Sequence, residues 1–420
     1  MKTTALRLYG KNDARLETFE LPPIKEDEIL AKIVTDSLCM SSYKALVAGE
    51  DHKRVPNDIA TNPIILGHEF CGELVQVGKK WSNDFAPGQR FAIQPALNYK
   101  GRIDAPGYSF PYIGGCASYI NIPSMVMECD CLLPYNQEAF FYGSLAEPVS
   151  CVIGSMEEFF HYKPGIHAHT MGILEGGTLA IVAGAGPMGS AAVDYILHAP
   201  KKPGRMVVSD IDAARLDRIS SLITPEDAAK EGVELIYVNT RDVDAAEAMI
   251  NCNKGKKFDD VLVMAPVRPA AETGSAILGF NGCLSFFAGP TDPNFSACIN
   301  FYDIHYNATH YLGTVGGNNE DMRVALRMME AKKIDPAILL THIGGLDCSA
   351  EATANLPKIP GGKKLVYTQV SMPLTAIDDF AEKGKTDMFF RDLDAIVKNN
   401  NGIWCEEAEK YLLKNAAPLK

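Results

Sequence analysis

The sequence Thr178-Leu179-Ala180-Ile181-Val182-Ala183-Gly184-Ala185-Gly186-Pro187-Met188-Gly189 joins an apolar run of six residues to a glycine-rich turn, and residues 190–195 continue as a helix-like segment. A strand, a glycine turn and a helix in this order are typical of a dinucleotide-binding unit. Gly184 permits the tight turn, Gly186 lets the backbone approach a pyrophosphate, and Gly189 allows close helix–strand packing. Pro187 suits the first helical turn, where its missing N–H costs little. We therefore expect residues 184–189 to bind a nucleotide; the alternative is an ordinary βα turn.

The next predicted strand ends at Asp210, directly after the apolar segment 206–209. A carboxylate at this position can accept hydrogen bonds from the adenosine ribose and would repel a 2′-phosphate. NAD(H) is therefore favoured as the cofactor. Arg215 keeps NADP(H) open, because this side chain could stack on adenine, accommodate a 2′-phosphate or simply face solvent.

The pattern of apolar segments and turn residues along the chain predicts an α/β protein with a β-rich first part. Strands are predicted at 4–9, 28–35, 73–77, 90–93 and 117–122, and again at 178–183, 205–209, 235–238, 260–264 and 283–287. From Thr178 onward these strands alternate with helical stretches, a pattern that favours a doubly wound parallel sheet. A helix is expected at 321–331 and a helical tail at 378–413, broken near 399–402. The stretch 343–362, rich in small residues, is expected to be a loop or an insertion.

Length, charge and cysteine usage limit the functional class. A chain of 420 residues predicts two domains, and a formal net charge of -12 argues against a nucleic-acid or anionic-lipid partner. The start of the sequence lacks the apolar core of a signal peptide, and no apolar run is long enough to span a membrane. The 11 scattered cysteines are typical of reduced thiols. A cytoplasmic protein is expected.

Three places in the first part carry candidate metal ligands: Cys39, the pair His68-Glu69, and Glu147. A thiolate, an imidazole and carboxylates suit Zn²⁺ and can leave a position open for substrate. An open zinc acts as a Lewis acid on a carbonyl or lowers the pKa of a bound alcohol. Taken singly, each residue could instead be structural: a core thiol, a polar turn residue or a helix-entry carboxylate.

Together these features resemble the zinc-containing medium-chain alcohol and polyol dehydrogenase family. The matching motifs are Cys39-Met40-Ser41, the G-H-E-x2-G-x5-G pattern of residues 67–78, the segment 87–91, Glu147-Pro148 and the turn 184–189. They occur in the family's order, and the resemblance reaches to about Ile343. It implies a GroES-like β-rich catalytic domain (1–155), a Rossmann nucleotide-binding domain (156–315) and a C-terminal segment (316–420) that completes the catalytic domain.

The resemblance also implies roles for individual residues. Cys39, His68 and Glu69 match the catalytic zinc ligands, and Glu147 matches a carboxylate that binds the metal directly or through water. Ser41 matches the hydroxyl that passes the substrate proton onward.

Two departures from the family pattern matter. The histidine expected five residues after the zinc cysteine is Lys44, which could relay protons, bind an anionic substrate group or face solvent. Region 94–119 has a single cysteine, Cys116, where the family's structural zinc needs four, so we expect one catalytic zinc and no structural zinc.

Within the family the chain is most similar to the sorbose-1-phosphate reductase subgroup. This implies zinc-dependent, NAD(P)(H)-linked interconversion of a ketose, such as L-sorbose 1-phosphate, and a polyol. Candidate phosphate-binding residues are Lys44, Lys100, Arg102 and Arg268. The alternatives are an NAD-dependent dehydrogenase of unphosphorylated polyols or secondary alcohols, a zinc-free quinone-reductase-like enzyme and a catalytically silent nucleotide-binding relative. The family implies a dimer or tetramer.

Overall fold

The computed structural model describes residues 1–419, which form two compact units. Unit 1 holds Met1–Glu147, Asn318–Ala331 and the chain from Pro336 onward. Unit 2 holds Pro148–Gly317 and Lys332–Asp335. Within the described residues, no helix is both long enough and apolar enough to cross a membrane.

The secondary structure is mixed in both units. The strands are β1 (Lys2–Gly10), β2 (Asp13–Glu20), β3 (Ile29–Leu38), β4 (Ile64–Ile65), β5 (Phe70–Val77), β6 (Arg90–Ile93), β7 (Tyr119–Ile122), β8 (Leu132–Pro134), β9 (Phe160–Tyr162), β10 (His169–Met171), β11 (Thr178–Val182), β12 (Arg205–Asp210), β13 (Glu234–Asn239), β14 (Phe258–Val263), β15 (Leu278–Phe286), β16 (His310–Leu312), β17 (Leu340–Gly345), β18 (Lys363–Tyr367), β19 (Val370–Ser371), β20 (Thr375–Ala376) and β21 (Ala417–Pro418). The α-helices are α1 (Met40–Ala48), α2 (Ser124–Glu128), α3 (Phe140–Glu157), α4 (Pro187–His198), α5 (Ala213–Leu222), α6 (Pro225–Lys230), α7 (Ala245–Cys252), α8 (Arg268–Ile277), α9 (Phe301–Tyr306), α10 (Asn319–Glu330), α11 (Ser349–Asn355), α12 (Phe380–Lys383), α13 (Met388–Asn399) and α14 (Glu406–Asn415).

Unit 2 is built on a parallel sheet that, within residues 1–419, has six strands in the order β13-β12-β11-β14-β15-β16. All six residues of β12 are buried, as expected for a strand covered on both faces by helices. The strand order reverses around β11, and ligands of such sheets bind beyond the carboxyl ends of the strands at this reversal. The α/β prediction with a doubly wound sheet is confirmed, and the glycine-rich turn follows β11 directly.

The main sheet of unit 1 joins residues from both ends of the chain. Its strands run β20-β17-β18-β3-β5-β6-β8, with β7 also paired to β3, which makes eight strands in the part of the chain that the structure describes. Strand β18 lies antiparallel to β3, with Lys364 opposite Leu38. The C-terminal segment therefore lies directly beside the strand that leads into Cys39.

For the stretch 343–362 the loop alternative is wrong, because most of the stretch is helix and strand, while the insertion alternative stays a prediction. The stretch holds the end of β17 and all of α11. Two of its glycines serve packing: a Cβ on Gly344 would lie 2.5 Å from Cys348 Sγ, and one on Gly345 would lie 2.4 Å from the Val370 carbonyl oxygen. The small residues that suggested a loop thus mark close contacts between strands.

A short ladder in unit 2 and the helices near the C-terminus complete the secondary structure. Strands β9 and β10 pair antiparallel, with His169 opposite Tyr162, and residues 163–168 connect them. The helix expected at 321–331 is confirmed as α10, and the helical tail is confirmed with its break between α13 and α14.

The C-terminal core of unit 1 contains a buried carboxylate, Glu409. Its oxygens accept the backbone N–H groups of Phe140 at 2.6 Å and Phe141 at 3.1 Å and the Tyr367 hydroxyl at 2.9 Å. Burial raises the pKa of Glu409 to about 7 although these hydrogen bonds act to lower it. A carboxyl with this pKa binds its proton more tightly in the folded than in the unfolded chain.

We expect the free energy of unfolding to fall as the pH rises, because of the raised pKa of Glu409. Because the folded pKa of Glu409 lies above the unfolded value of 4.5, its stabilising contribution is full below that value and is lost as the pH rises to about 7. Relative to Glu409→Gln, the native protein should lose on the order of 3 kcal/mol of unfolding free energy between pH 4.5 and 7.5. Urea unfolding of both proteins across this range measures the difference, and parallel pH profiles would contradict it.

Candidate active site

Cys39 lies where a strand gives way to a helix. Strand β3 ends at Leu38, and Cys39 occupies the N-cap position of α1 with extended backbone angles, φ -117° and ψ 145°. Its thiol makes no side-chain cap to the helix. The thiol is therefore available to a ligand at the start of α1.

His68 and Glu69 come just before strand β5, and both side chains are buried. Gly67 before them has φ +94°, and a Cβ there would lie 2.5 Å from Asp36 Oδ2, so this bend requires glycine. The Glu69 carbonyl oxygen accepts the Ser37 N–H at 2.9 Å, which fixes the bend against β3. The two-residue motif is thereby held beside the strand that carries Cys39.

The structure brings three of the four predicted metal ligands together. Ligand atoms of Cys39, His68 and Glu69 all lie within 4.8 Å of one another. Glu147 is half-buried in α3 and is not a member of this group, but its charge is close enough to help raise the pKa of Cys39. A sulfur, a nitrogen and an oxygen donor at this spacing fit a divalent zinc ion.

Burial sets the protonation states of these ligands. It raises the pKa of the Cys39 thiol to about 12, with the Glu69 charge adding to the effect. It lowers the pKa of His68 to about 4, with Lys363 and Arg54 adding to the effect. His68 is thus neutral at pH 7 and can offer a lone pair, whereas Cys39 must lose a proton to become a metal ligand.

Sequence reasoning missed Lys363, the first residue of β18. Its ammonium contacts both carboxylate oxygens of Glu69 at 2.5 Å, and both side chains are buried. Burial acts to lower the pKa of Lys363, but the charges of Glu69 and Cys39 outweigh burial and raise it above its usual value. Glu69 therefore has a protein counter-ion, and a metal would share this carboxylate with an ammonium group.

A second missed residue is Tyr108, which is fully buried beside His68. Its hydroxyl lies 3.2 Å from His68 Nε2 and is also hydrogen-bonded by the Ser41 side chain. The other His68 nitrogen, Nδ1, lies 3.2 Å from the Ser42 hydroxyl. Gly107 allows this approach, because a Cβ there would lie 2.1 Å from the Gly67 carbonyl oxygen. The predicted proton-relay residue Ser41 is thus linked to His68 through a tyrosine.

The candidate phosphate-binding residues have separate contacts. Lys44 is in α1, five residues after Cys39, and its positive charge helps to lower the pKa of His52. Arg102 is paired with Asp104 at 2.5 Å, while Arg268 belongs to unit 2 and donates to the Ser296 carbonyl oxygen. The Lys100 ammonium lies over the ring of Tyr99.

The glycine-rich turn in unit 2 has the geometry expected from its sequence. A Cβ on Gly189 would lie 2.0 Å from the Gly184 carbonyl oxygen, so the helix packs tightly on the turn. A Cβ on Gly186 would meet nothing within 4 Å. Gly186 is the N-cap residue of α4 and forms no side-chain hydrogen bond with the first turn of the helix. Pro187 and Met188 follow it. The open space before an uncapped helix N-terminus fits a dinucleotide pyrophosphate.

Asp210 closes β12 next to this turn. Its buried carboxylate accepts the Ala185 N–H at 3.1 Å and the Asp212 N–H at 3.0 Å. Arg215 lies on α5 with its guanidinium 3.6 Å from the Asp212 carboxylate and about half exposed. The negative charge of Asp210 is therefore held against the turn by backbone donors.

We expect two alanine substitutions in the turn to separate packing from nucleotide binding. Gly189→Ala should destabilise unit 2 by about 1–3 kcal/mol because its methyl group overlaps the Gly184 backbone. Gly186→Ala should cost less than about 1 kcal/mol but weaken NADH binding, since its methyl group fills the open space. Thermal unfolding and NADH fluorescence titration measure both effects. Equal loss of stability in the two variants would contradict this assignment.

Comparisons with known proteins agree with this geometry. The alcohol dehydrogenase GroES-like domain family matches residues 25–130. The chain is 48% identical over 417 residues to the L-sorbose 1-phosphate reductase of Klebsiella pneumoniae, covering 99% of this chain and 98% of the relative. It is 45% identical over 414 residues to the mannitol-1-phosphate 5-dehydrogenase of Aliivibrio fischeri, covering 98% of each.

A solved structure shares the fold at lower sequence identity. The 2R,3R-butanediol dehydrogenase of Bacillus subtilis superposes with a TM-score of 0.69 at 19% identity, covering 87% of this chain and 99% of that one. The full-length similarity to the two sugar-phosphate enzymes, the GroES-like match and the six-stranded parallel sheet in the described residues agree with one another. The chain belongs to the zinc-type medium-chain dehydrogenase family and is an NAD(P)-linked oxidoreductase.

Proposed function

We propose that this enzyme uses zinc and NAD(H) to interconvert a ketose phosphate, L-sorbose 1-phosphate or a similar sugar phosphate, and the corresponding polyol phosphate. The observation that carries the proposal is the convergence of Cys39, His68 and Glu69, with ligand atoms within 4.8 Å of one another. The names of the two relatives that match almost the whole chain supply the substrate class.

Cys39, His68 and Glu69 would hold the zinc ion, and Glu147 would complete its shell directly or through water. Bound zinc supplies Lewis-acid stabilisation of the substrate oxygen. The Ser42 hydroxyl, 3.2 Å from His68 Nδ1, would accept a hydrogen bond from that nitrogen, and Nε2, 4.0 Å from Glu69 Oε1, would bind the metal in place of its contact with the Tyr108 hydroxyl. Such support normally keeps a metal-binding imidazole in one orientation.

The chain's own groups would also move the proton. Ser41 would exchange a proton with the substrate oxygen, and its hydrogen bond to Tyr108 supports this role. Lys44, in the first helix after Cys39, would assist as a relay or as a cation near the substrate.

The turn at Gly184, Gly186, Pro187, Met188 and Gly189 would bind the dinucleotide, whose nicotinamide supplies the hydride acceptor or donor. Asp210 would favour NAD(H), because its buried carboxylate repels a 2′-phosphate. Arg215, paired with Asp212, would lie near the adenosine end.

The proposal also covers the domain bounds, the oligomeric state and the location of the enzyme. Residues 1–155 would form the catalytic domain, 156–315 the nucleotide-binding domain and 316–420 the completing segment. A dimer or tetramer is supported by exposed aromatic side chains in unit 2: Phe280, Phe301, Tyr302 and Tyr306. A cytoplasmic location is supported by eleven cysteines, all of them free thiols.

A steady-state assay with defined substrates tests the proposed function. NADH and NADPH oxidation is measured with L-sorbose 1-phosphate, fructose 6-phosphate and the free ketoses, with and without a zinc chelator. We expect NADH-dependent, chelator-sensitive turnover of a phosphorylated ketose and one zinc per chain. Turnover of free ketoses alone would instead indicate a polyol dehydrogenase, and absence of turnover with every ketose would contradict the proposal.

A further inference from the structure

Basic side chains gather around Tyr108, the residue whose hydroxyl contacts His68. The His52 ring stacks on the Tyr108 ring with centroids 5.6 Å apart and planes 8° from parallel. The guanidinium carbon of Arg54 lies 5.4 Å from the centre of the same ring. The His68 ring lies 4.8 Å from it. A single aromatic ring therefore connects His52 and Arg54 to the candidate metal site.

The hydrogen bonding of this group leaves a donor available. The Arg54 backbone N–H donates to His52 Nδ1 at 3.3 Å, so a neutral His52 carries its proton on Nε2. Ser109 donates its hydroxyl to the Arg54 carbonyl oxygen at 2.7 Å, which anchors the loop next to Tyr108. These contacts hold the His52 ring and the backbone of Arg54 in place.

The charges that act on His52 are positive. After burial, Arg54, Lys53 and Lys44 are the groups that lower its pKa. Arg54 and His52 also lower the pKa of His68, so both act on the candidate metal ligand itself. The three cations that act on His52 contrast with the net charge of -12 of the whole chain, and the Glu147 charge acts on the neighbouring Tyr108.

Arg54 in particular lacks a partner for part of its guanidinium. Its Nε atom is buried without a hydrogen-bond acceptor. Across residues 1–419, no carboxylate forms an ion pair with this guanidinium, whereas the exposed Arg102 is paired with Asp104. An unpaired buried donor costs about 1–3 kcal/mol.

We propose that Arg54 and His52, together with Lys44, bind the phosphate group of the substrate, an assignment that rests on the proposed function. Guanidinium groups bind phosphate oxygens with paired, charge-assisted hydrogen bonds. The Nε2–H of His52 supplies another donor, and Lys44 supplies charge from α1. The carbon chain of the substrate then extends from this cluster past Tyr108 toward the candidate metal site. Recognition of phosphate here makes the enzyme select phosphorylated over free sugars.

The test uses the zinc-loaded enzyme and the variants Arg54→Met, Arg54→Lys and His52→Gln. Loss of a charge-assisted pair predicts that Arg54→Met raises the KM for the phosphorylated ketose about 10–100-fold with little change in kcat. Arg54→Lys should keep part of the affinity because it keeps the charge. His52→Gln provides an independent variant if Arg54→Met folds poorly.

Binding of inorganic phosphate, measured by calorimetry, provides a readout that needs no turnover. The native enzyme should bind phosphate, and Arg54→Met should weaken this binding at least about tenfold. Arg391→Met serves as the control, because Arg391 is an exposed arginine of unit 1 paired with Asp392. This control should bind phosphate as the native enzyme does. Zinc content should be unchanged in all variants.

The outcomes separate this assignment from the proposed function. If the native enzyme turns over free ketoses alone, the proposed function fails, and phosphate binding still decides whether Arg54 belongs to an anion site. Unaltered phosphate binding in both Arg54→Met and His52→Gln would overturn the assignment. An equal rise in KM for phosphorylated and free ketoses would also overturn it, because it would show a structural role for Arg54.

Discussion

Replacing Cys39 with alanine should abolish turnover and zinc binding together. In the proposed site Cys39 would supply a thiolate to the zinc ion, and its removal would leave His68 and Glu69 of the three-residue donor group. Loss of metal stabilisation worth several kcal/mol corresponds to a fall in kcat of at least about 1000-fold. Metal analysis and steady-state kinetics on the same preparation measure both effects.

The control for this experiment is Cys298→Ala, which removes an exposed thiol of unit 2. This variant should keep its zinc and its activity. Circular dichroism and the melting temperature show whether Cys39→Ala is folded. A folded Cys39→Ala protein with native zinc content and native kcat would exclude Cys39 as a zinc ligand.

Replacing Lys363 with methionine should destabilise the metal-free protein far more than the zinc-loaded protein. In the structure, the ammonium of Lys363 contacts both oxygens of the buried Glu69 carboxylate. Removing one partner of a buried ion pair leaves an uncompensated charge and costs about 3–5 kcal/mol. Zinc would supply a replacement positive charge beside Glu69. Urea unfolding with and without a chelator measures the two stabilities.

The neighbouring residue Lys364 offers a matched control. Its ammonium donates to the carbonyl oxygens of Ile359, Pro360 and Gly362 and is also buried. Lys364→Met should therefore lose similar stability with and without zinc. If Lys363→Met showed the same zinc-independent loss, the ion pair with Glu69 would have no connection to the metal.

Local patterns in the sequence were sufficient to predict the fold of unit 2 and the candidate metal ligands. The strand, turn and helix around Gly184 are consecutive in the chain, so short-range stereochemistry determines them. The ligand chemistry and the family resemblance predicted that Cys39, His68 and Glu69 converge, as they do, whereas the fourth predicted ligand, Glu147, is not a member of the group. The loop alternative for the stretch 343–362 was wrong because small residues needed for close packing resemble those of a loop, and the insertion alternative stays a prediction.

The sequence by itself determined the family, the α/β class and the residues that meet at the candidate metal site. The tertiary structure alone decided what surrounds them. Lys363 is 294 positions from Glu69 and reaches it because β18 lies antiparallel to β3. Tyr108 reaches His68 because Gly107 lets two loops approach closely. Such contacts depend on sheet pairing and loop packing between distant segments, for which one sequence carries no periodic signal.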